Sequence, residues 1–489
     1  MAQNKIDYFS RLGIVVTECR NKLFSWITKE SKRVVKHSIG SLIKLKEDYY
    51  ILTCYHGIKD YELVNFYSFN VSNKIVKFGC KVDQISQEMD LALLKLEVKD
   101  KPIIDYFTMD NILINLSTLT NNSKVSVLSQ EYKFVSETDI QIKNNKIDTE
   151  ILELIFDNQQ SLNMPKLPFL VIKLHDYKHI DGLSGSPVML NDKLVGIISN
   201  VNDEDCINII SSVTIQRFLL EFLKCNKISG LCDMIADLKI CRWEEDEKSN
   251  TGFLVTNSYG KKNQDELCKN DIIYEVNNQK INNQGELYDA QLDCNVPIST
   301  FISLNYMADD DLEIKVLRQN KKSEYDQKKI VLKLLPVERY KYVPLEFNQQ
   351  HIECDGLIFI ELNEELLQYY RNQNIILEGS LLEYYCETPY KKKNQLNDKI
   401  IIFVQINVDN INKQDLLILK RNNLPLVNLE NNIYSFPILT KINNQKIKKL
   451  DDIRGLLLEK KSLYFRVEKN LKMRLDYSEN KLQQLKIIK

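Results

Sequence analysis

The chain reads as a mainly β protein: two β-barrels followed by two smaller sheet domains. Three observations predict this. Short β-rich runs recur through the first 225 residues, separated by Asn-rich and Asp-rich turns, as expected of a barrel fold. The helical apolar spacing noted in that region is at residues 213–223, where Ile215, Phe218, Leu219 and Phe222 recur at helical intervals. His56, Asp90 and Ser184 each stand beside an apolar run, with a short interval between the first two and a long one before the third. That spacing suits a histidine and an aspartate on a first barrel and a serine on a second.

In chain order, Ile14-Val15-Val16 is the first expected strand. Trp26 and the basic residues 29–36 read as a loop. Residues 40–45 and 49–54 read as a hairpin turning at Lys46-Glu47-Asp48, and its second strand runs on to Thr53-Cys54-Tyr55-His56. Further strands are expected at 75–78, 124–128 and 169–172. Asp90 opens the run Asp90-Leu91-Ala92-Leu93-Leu94. That strand should be buried, and a buried carboxylate needs a partner, for which a histidine N–H serves. The stretch Asp181-Gly182-Leu183-Ser184-Gly185-Ser186-Pro187 then sets a serine between glycines, with the strand Leu194-Val195-Gly196-Ile197-Ile198 after it. Glycine permits backbone angles that other residues resist. The amides of Gly182 and Ser184 can then point at one spot, as an oxyanion hole requires. A serine hydroxyl needs a base to become a nucleophile, and the base needs an orienting acid. His56 and Asp90 are the candidates. Cys54 reads as core, and Ile197 and Ile198 as an apolar wall for a substrate side chain. His37, His175, His179 and His351 lack a comparable setting.

These residues carry a resemblance. Thr53-Cys54-Tyr55-His56 resembles the "TAAH" or "TNAH" box of chymotrypsin-fold serine proteases, Asp90-Leu91-Ala92-Leu93-Leu94 their "DLALL" box, and Gly182-Leu183-Ser184-Gly185-Ser186-Pro187 their "GNSGGP" box. The order His, Asp, Ser is that of chymotrypsin. Residues 40–56 resemble the "GSGF…GYILTNAH" entry of the HtrA/Deg proteases. Leu183 stands where that family has Asp or Asn, and Ser186 where it has glycine; neither change removes a triad atom. The resemblance implies a chymotrypsin-like double β-barrel over residues 10–225. It implies an ATP-independent endopeptidase with the triad His56, Asp90 and Ser184 and an oxyanion hole at Gly182 and Ser184. Unfolded protein or peptide would be the substrate, and a homo-oligomer built from trimers the assembly. Tyr8, Phe9, Phe24 and Trp26 are aromatic residues available to such packing. Two alternatives stay open: an inactive or resting protease serving as a peptide-binding scaffold, and a processing enzyme of narrow specificity.

Beyond a polar linker at residues 224–230, Gly252-Phe253-Leu254-Val255, Leu267-Cys268-Lys269-Asn270-Asp271-Ile272-Ile273 and Val276-Asn277-Asn278-Gln279-Lys280-Ile281 resemble a PDZ domain, expected over 230–336. Such a domain takes up an extended C-terminus as an added strand and catches its carboxylate on backbone amides. The carboxylate loop would fall at residues 231–234, where no glycine-rich sequence stands, so a purely structural PDZ is equally open. Asn277-Asn278-Gln279-Lys280-Ile281 recurs as Asn443-Asn444-Gln445-Lys446-Ile447, ahead of an amphipathic helical pattern and a strand. This resembles a degenerate second PDZ-like domain over 340–489, as in the larger plant-type Deg proteases. The charge runs at 244–248 and 391–393 read as solvated loops.

Composition sets limits. With 489 residues the chain has room for about three domains. A net charge of −1 gives no bulk field to draw nucleic acid or an anionic membrane, so neither is expected as a partner. Eleven cysteines without C-x-x-C pairs and five histidines without ligand spacing point to no metal, and no cofactor motif is visible. The first residues lack an apolar run of signal length, and no stretch reads as a membrane span. The expectation is a soluble, reduced, intracellular protein.

Overall fold

The computed structural model describes residues 8–20, 33–69, 74–97, 105–119, 121–134, 140–157, 165–174, 182–201, 206–245, 248–259, 267–340, 351–354, 357–364, 366–367, 376–377, 398–406, 433–434, 438–458, 463–467, 472–478 and 481–488. The strands β1 (Leu12–Arg20), β2 (Arg33–Leu45), β3 (Asp48–Cys54), β4 (Tyr61–Phe69), β5 (Ile75–Ser86) and β6 (Leu91–Leu96) close a barrel in the order β1-β2-β3-β6-β5-β4. A second set follows: β7 (Lys124–Phe134), β8 (Ile140–Asp157), β9 (Leu167–Lys173), β10 (Pro187–Leu190), β11 (Lys193–Val201) and β12 (Cys206–Ser211). It closes as β7-β8-β9-β12-β11-β10, the same strand order as the first barrel. The fold is a chymotrypsin-like double barrel. Closure matters energetically, because an open sheet of this length would leave rows of unpaired backbone groups. Val15, Leu42, Ile51, Phe66, Ala92 and Leu94 point into the first barrel and form its core.

The expected strands all lie within these elements, and the hairpin turns at Lys46, whose φ is 55°. One expectation fails. Residues Arg33–Lys36 are not loop but the start of β2, paired with Arg20–Thr17 of β1. The charges suggest a loop, whereas the strand follows backbone pairing. Phe24, Trp26, His175 and His179 lie outside the described residues, as do residues 391–393. Tyr8 turns toward its own chain: its hydroxyl donates to Asp192 and its ring lies 5.3 Å from the Arg11 guanidinium.

The helix Ser212–Cys225 closes the second barrel. Ser211 caps its first turn through Thr214 N–H, and Asn226 ends it in the left-handed conformation at φ 53°. A further antiparallel sheet orders Ala236–Glu245, Lys248–Ser258, Ile272–Val276, Asp311–Gln319 and Tyr325–Lys333, with the short strand Gln279–Lys280 beside Ile272–Val276. Of the run 244–248, expected as a loop, Glu244 and Glu245 instead end the first of these strands and Lys248 begins the second, with Glu245 opposite Lys248, because ladder pairing overrides their charge; residues 246–247 lie outside the described residues. The helix Ile298–Asn305 accompanies the sheet. Barrels and sheet together form one compact unit that ends at Val337.

The polar stretch after the closing helix is tied down. Arg217 and Glu221 are 5 % and 1 % exposed and form an ion pair at 2.7 Å. Arg217 Nε donates to the carbonyls of Ser303 (3.2 Å) and Tyr306 (3.1 Å), at the end of the helix Ile298–Asn305. Glu221 accepts from Ser229 N–H at 2.9 Å.

The second unit begins at Glu338. Its sheet orders Gln445–Lys446, Leu439–Ile442, Leu463–Val467, Lys472–Ser478 and Lys481–Ile488, and the helix Leu450–Leu458 falls between the second and third of these in sequence. The repeated pentapeptide makes the same turn twice. Asn277 and Asn278 have φ of 46° and 62°, and Asn443 and Asn444 of 49° and 65°. Two successive left-handed residues define the tight hairpin turn for which asparagine is among the best residues.

Removing the guanidinium of Arg217 would leave Glu221 charged and buried. Arg217→Ala should therefore cost about 3–5 kcal/mol, measured by denaturant unfolding. A loss below about 1 kcal/mol would mean that the pair carries no structural weight.

Candidate active site

β3 and β6 are antiparallel neighbours, with Cys54 opposite Leu91. The chain leaving β3 therefore lies beside the chain entering β6. The first holds His56, in the single turn Tyr55–Ile58; the second holds Asp90. Asp90 has φ 53°, a left-handed angle that aspartate tolerates better than most residues. Three donors hold it there. Its carbonyl accepts from Tyr55 N–H at 3.0 Å, its Oδ1 from His56 N–H at 3.0 Å, and its Oδ2 from Ser199 Oγ at 2.9 Å. Oδ2 also lies 2.8 Å from His56 Nδ1.

Ser184 comes from the second barrel, in the turn before β10. Its carbonyl accepts from Ile39 N–H of β2 at 2.8 Å, which joins the barrels at this point. Its Oγ lies 2.9 Å from His56 Nε2 and 3.1 Å from the Ser199 carbonyl. The hydroxyl has one proton, so the protonation of His56 decides its direction. With an imidazolium, Nε2–H donates to Oγ and the hydroxyl turns to Ser199. With neutral imidazole, the hydroxyl donates to Nε2.

Gly185 has φ 85°, and a Cβ there would collide with the Ile39 carbonyl and come within 2.9 Å of Thr53 Oγ1. Gly185 thus lets the backbone of the first barrel come close. At Gly182 (φ 89°) a Cβ would meet nothing within 4 Å, so glycine is needed there for its angle alone. Leu183, in the position that departs from the resemblance, is buried, and its carbonyl accepts from Ser186 N–H at 2.8 Å. Among the described residues, neither the Gly182 nor the Ser184 N–H has an acceptor.

Ser199 escaped the sequence reading. The register of β11 against β12 shifts between Ile198 and Asn200, and Ser199 sits at that bulge. A bulge re-aims a side chain, and this one reaches Asp90. Ile197 and Ile198, expected to wall a substrate pocket, are instead fully buried in the second barrel. Cys54 is core as expected. Its thiol donates to the Ile198 carbonyl at 3.1 Å, and burial, with the Asp90 charge nearby, pushes its pKa well above the usual thiol value. Cys54, His56 and Asp90 do place three ligand-type atoms within 4.8 Å of one another, but the thiol stays protonated and Asp90 already holds His56 Nδ1. His37 is half-buried against Tyr132, at 4.5 Å between rings.

Burial opposes a charge on His56. The Asp90 charge and its hydrogen bond outweigh that, and the pKa lies above the ordinary histidine value, with Lys36 and Lys59 acting weakly the other way. The side chain keeps 40 % of its surface accessible, so a substrate can reach it.

No family model matches the chain. An uncharacterised protein of Acanthamoeba polyphaga mimivirus is 22% identical over 467 residues, or 89% of this chain and 91% of that protein. The HtrA-type protease AlgW with a tripeptide is similar at 12% identity and a TM-score of 0.44, over 67% of this chain and 94% of that one. A serine endoprotease from Yersinia pestis is similar at 15% identity and a TM-score of 0.39, over 67% and 94% of the two chains. Among the described residues, no helix is long and apolar enough to cross a membrane.

Two predictions come from this geometry. Gly185→Ala should destabilise the fold by more than about 1 kcal/mol in denaturant unfolding, because both its angle and its space are wrong for a side chain. The His56 ring, titrated by NMR, should have its midpoint above about 6.5. Asp90→Asn removes the raising charge and leaves the burial, so its midpoint should fall. An Asn variant that titrates like the parent would mean that Asp90 does not govern His56.

Proposed function

We propose that the chain is a serine endopeptidase of the HtrA/Deg type that hydrolyses peptide bonds in unfolded protein. The observation that carries this reading is one continuous line of contacts, Asp90 Oδ2 to His56 Nδ1 at 2.8 Å and His56 Nε2 to Ser184 Oγ at 2.9 Å. Ser184 Oγ attacks the scissile carbonyl carbon while His56 Nε2 takes its proton. The new C–O bond gives a tetrahedral oxyanion, held by the N–H groups of Gly182 and Ser184. His56 passes the proton to the leaving amine as the C–N bond breaks, and an acyl-enzyme remains. Water then attacks, His56 takes its proton, and Ser184 is released. Asp90 keeps Nδ1–H in place and stabilises the imidazolium without taking the proton. Ser199 donates to the same Asp90 oxygen, Oδ2, that meets the His56 ring, and so helps fix the carboxylate.

For the sheet that follows the barrels we favour a structural, PDZ-like role over capture of free C-termini. In the expected carboxylate loop, Leu231 N–H donates to Glu88 of the first barrel and Met234 N–H to Asp233 at 2.7 Å, so two of its amides are already engaged.

Ser184→Ala should leave stability within about 1 kcal/mol of the parent, because the change opens no core cavity. Turnover of an unfolded protein such as casein should drop by on the order of a million-fold, as should turnover by His56→Ala. The double variant should be little worse than either single, since the groups act as a unit. A fluorophosphonate probe should label the parent and not Ser184→Ala. Equal casein cleavage by parent and Ser184→Ala would overturn the protease reading, and a parent that neither labels nor cleaves would favour an inactive scaffold.

A further inference from the structure

The segment called a linker touches the loop that presents Asp90. That loop is the tight turn Ser86-Gln87-Glu88-Met89-Asp90, closed by Asp90 N–H to the Gln87 carbonyl at 3.2 Å and by Met89 N–H to Ser86 Oγ at 3.3 Å. Glu88, in the middle of the turn, is only 7 % exposed. A buried carboxylate is costly unless donors meet it, and one of its donors is Leu231 N–H. Gly230 makes this approach possible. It has φ 86°, and a Cβ there would come within 2.9 Å of the Glu88 carboxyl carbon. The neighbouring amides are held as well: Ile228 N–H by Gln84 Oε1 at 3.1 Å, and Ser229 N–H by Glu221 at 2.9 Å. Leu231 leads into Cys232–Asp233, which pairs with Leu335–Pro336 as a small two-stranded sheet of its own, and the Leu231 carbonyl accepts from Val337 N–H at 2.9 Å. Residues 228–231 therefore form a strap whose last residue, Leu231, both grips the turn before β6 through its N–H and is held by the next module through its carbonyl.

We propose that Glu88 is a positioning residue: through Leu231 N–H it holds the turn at the geometry in which Asp90 meets both His56 and Ser199. The turn is short, so a shift at Glu88 reaches Asp90 two residues later, and the left-handed angle of Asp90 leaves it little room to compensate. The strap thereby makes the module after the barrels part of what aligns the triad. The kinetic side of this inference rests on the protease reading; the geometric side does not.

The test uses the full chain with Glu88→Gln, Glu88→Asp and Glu88→Ala. Glutamine keeps an oxygen acceptor at the same reach; aspartate keeps the charge but falls one methylene short of Leu231 N–H. Three readouts are taken. The proton resonance of the His56 Nδ1–H bond to Asp90, and amide exchange at Leu231, need no substrate. The split of kcat and KM on a short peptide ester needs activity. We expect the Asp and Ala variants to lose or shift the Nδ1–H resonance and to speed exchange at Leu231. Their kcat should fall about tenfold, a change in barrier of about 1.4 kcal/mol, with KM unchanged. The Gln variant should keep the parental resonance and stay within about threefold of the parental kcat. If the Ala variant does not fold, the comparison of Asp with Gln decides. An Asp variant with parental resonance and parental exchange sinks the proposal, and so does a Gln variant as impaired as Asp. If the parent itself hydrolyses nothing, the protease reading fails while the resonance and exchange still decide the role of Glu88.

Discussion

The Asp90 carboxylate is the joint on which the site depends. It is 3 % exposed; its Oδ1 accepts from the backbone N–H of His56, and its Oδ2 meets both the ring of His56 and the hydroxyl of Ser199. His56 belongs to the first barrel and Ser199 to the second, so one carboxylate ties the two barrels together at this point. A buried carboxylate can do this because leaving it without donors costs more than holding the donors in place. The same group governs the chemistry. Burial alone would make His56 a weaker base, and the charge 2.8 Å away reverses the sign of that effect.

The meeting of His56, Asp90 and Ser184 was legible in the sequence for a geometric reason. Antiparallel neighbours bring the end of one strand beside the start of the next, so His56 after one apolar run and Asp90 before another are readable as adjacent once the two runs are seen as partners. Ser184 was legible through its glycines, although what crowds Gly185 is the Ile39 carbonyl of the first barrel, which the local sequence does not announce. Ser199 was not, since a serine closing the apolar run of β11 points by alternation to no special place, and only the bulge turns it toward Asp90. The start of β2 was missed for a related reason. Residues Arg33–Lys36 carry the charges of a loop, but their backbone pairs with β1, and pairing across twelve intervening residues leaves no local trace. The repeated Asn-Asn pair carries its information locally: two left-handed residues in a row are a demand on residue type, and asparagine meets it.

The polar stretch after the closing helix marks where sequence composition stops being informative. Lys224, Asn226, Lys227 and Ser229 have the composition of a solvated linker, and by that measure residues 224–230 should be loose. What holds them is a set of charged side chains elsewhere. Arg217 and Glu221 lie on a helix whose pattern reads as amphipathic, and nothing in that pattern says that these two charges face inward. Glu88 lies in a turn, where an acid is ordinary. Each becomes buried only because a partner from another part of the chain satisfies it, and such pairing is invisible in one dimension. Buried ion pairs are weak contributors to net stability, because desolvation cancels much of the attraction. Their geometric demand is strict, however. Arg217 must reach the carbonyls of Ser303 and Tyr306 and the carboxylate of Glu221 together, and Glu221 must also meet Ser229 N–H. An apolar contact at the same place would tolerate sliding between the barrel and the sheet, whereas this set is satisfied in one arrangement. Barrel and sheet are therefore better understood as a single cooperative body than as beads on a string, and the turn that carries Asp90 is one of the places where that cooperation reaches the site.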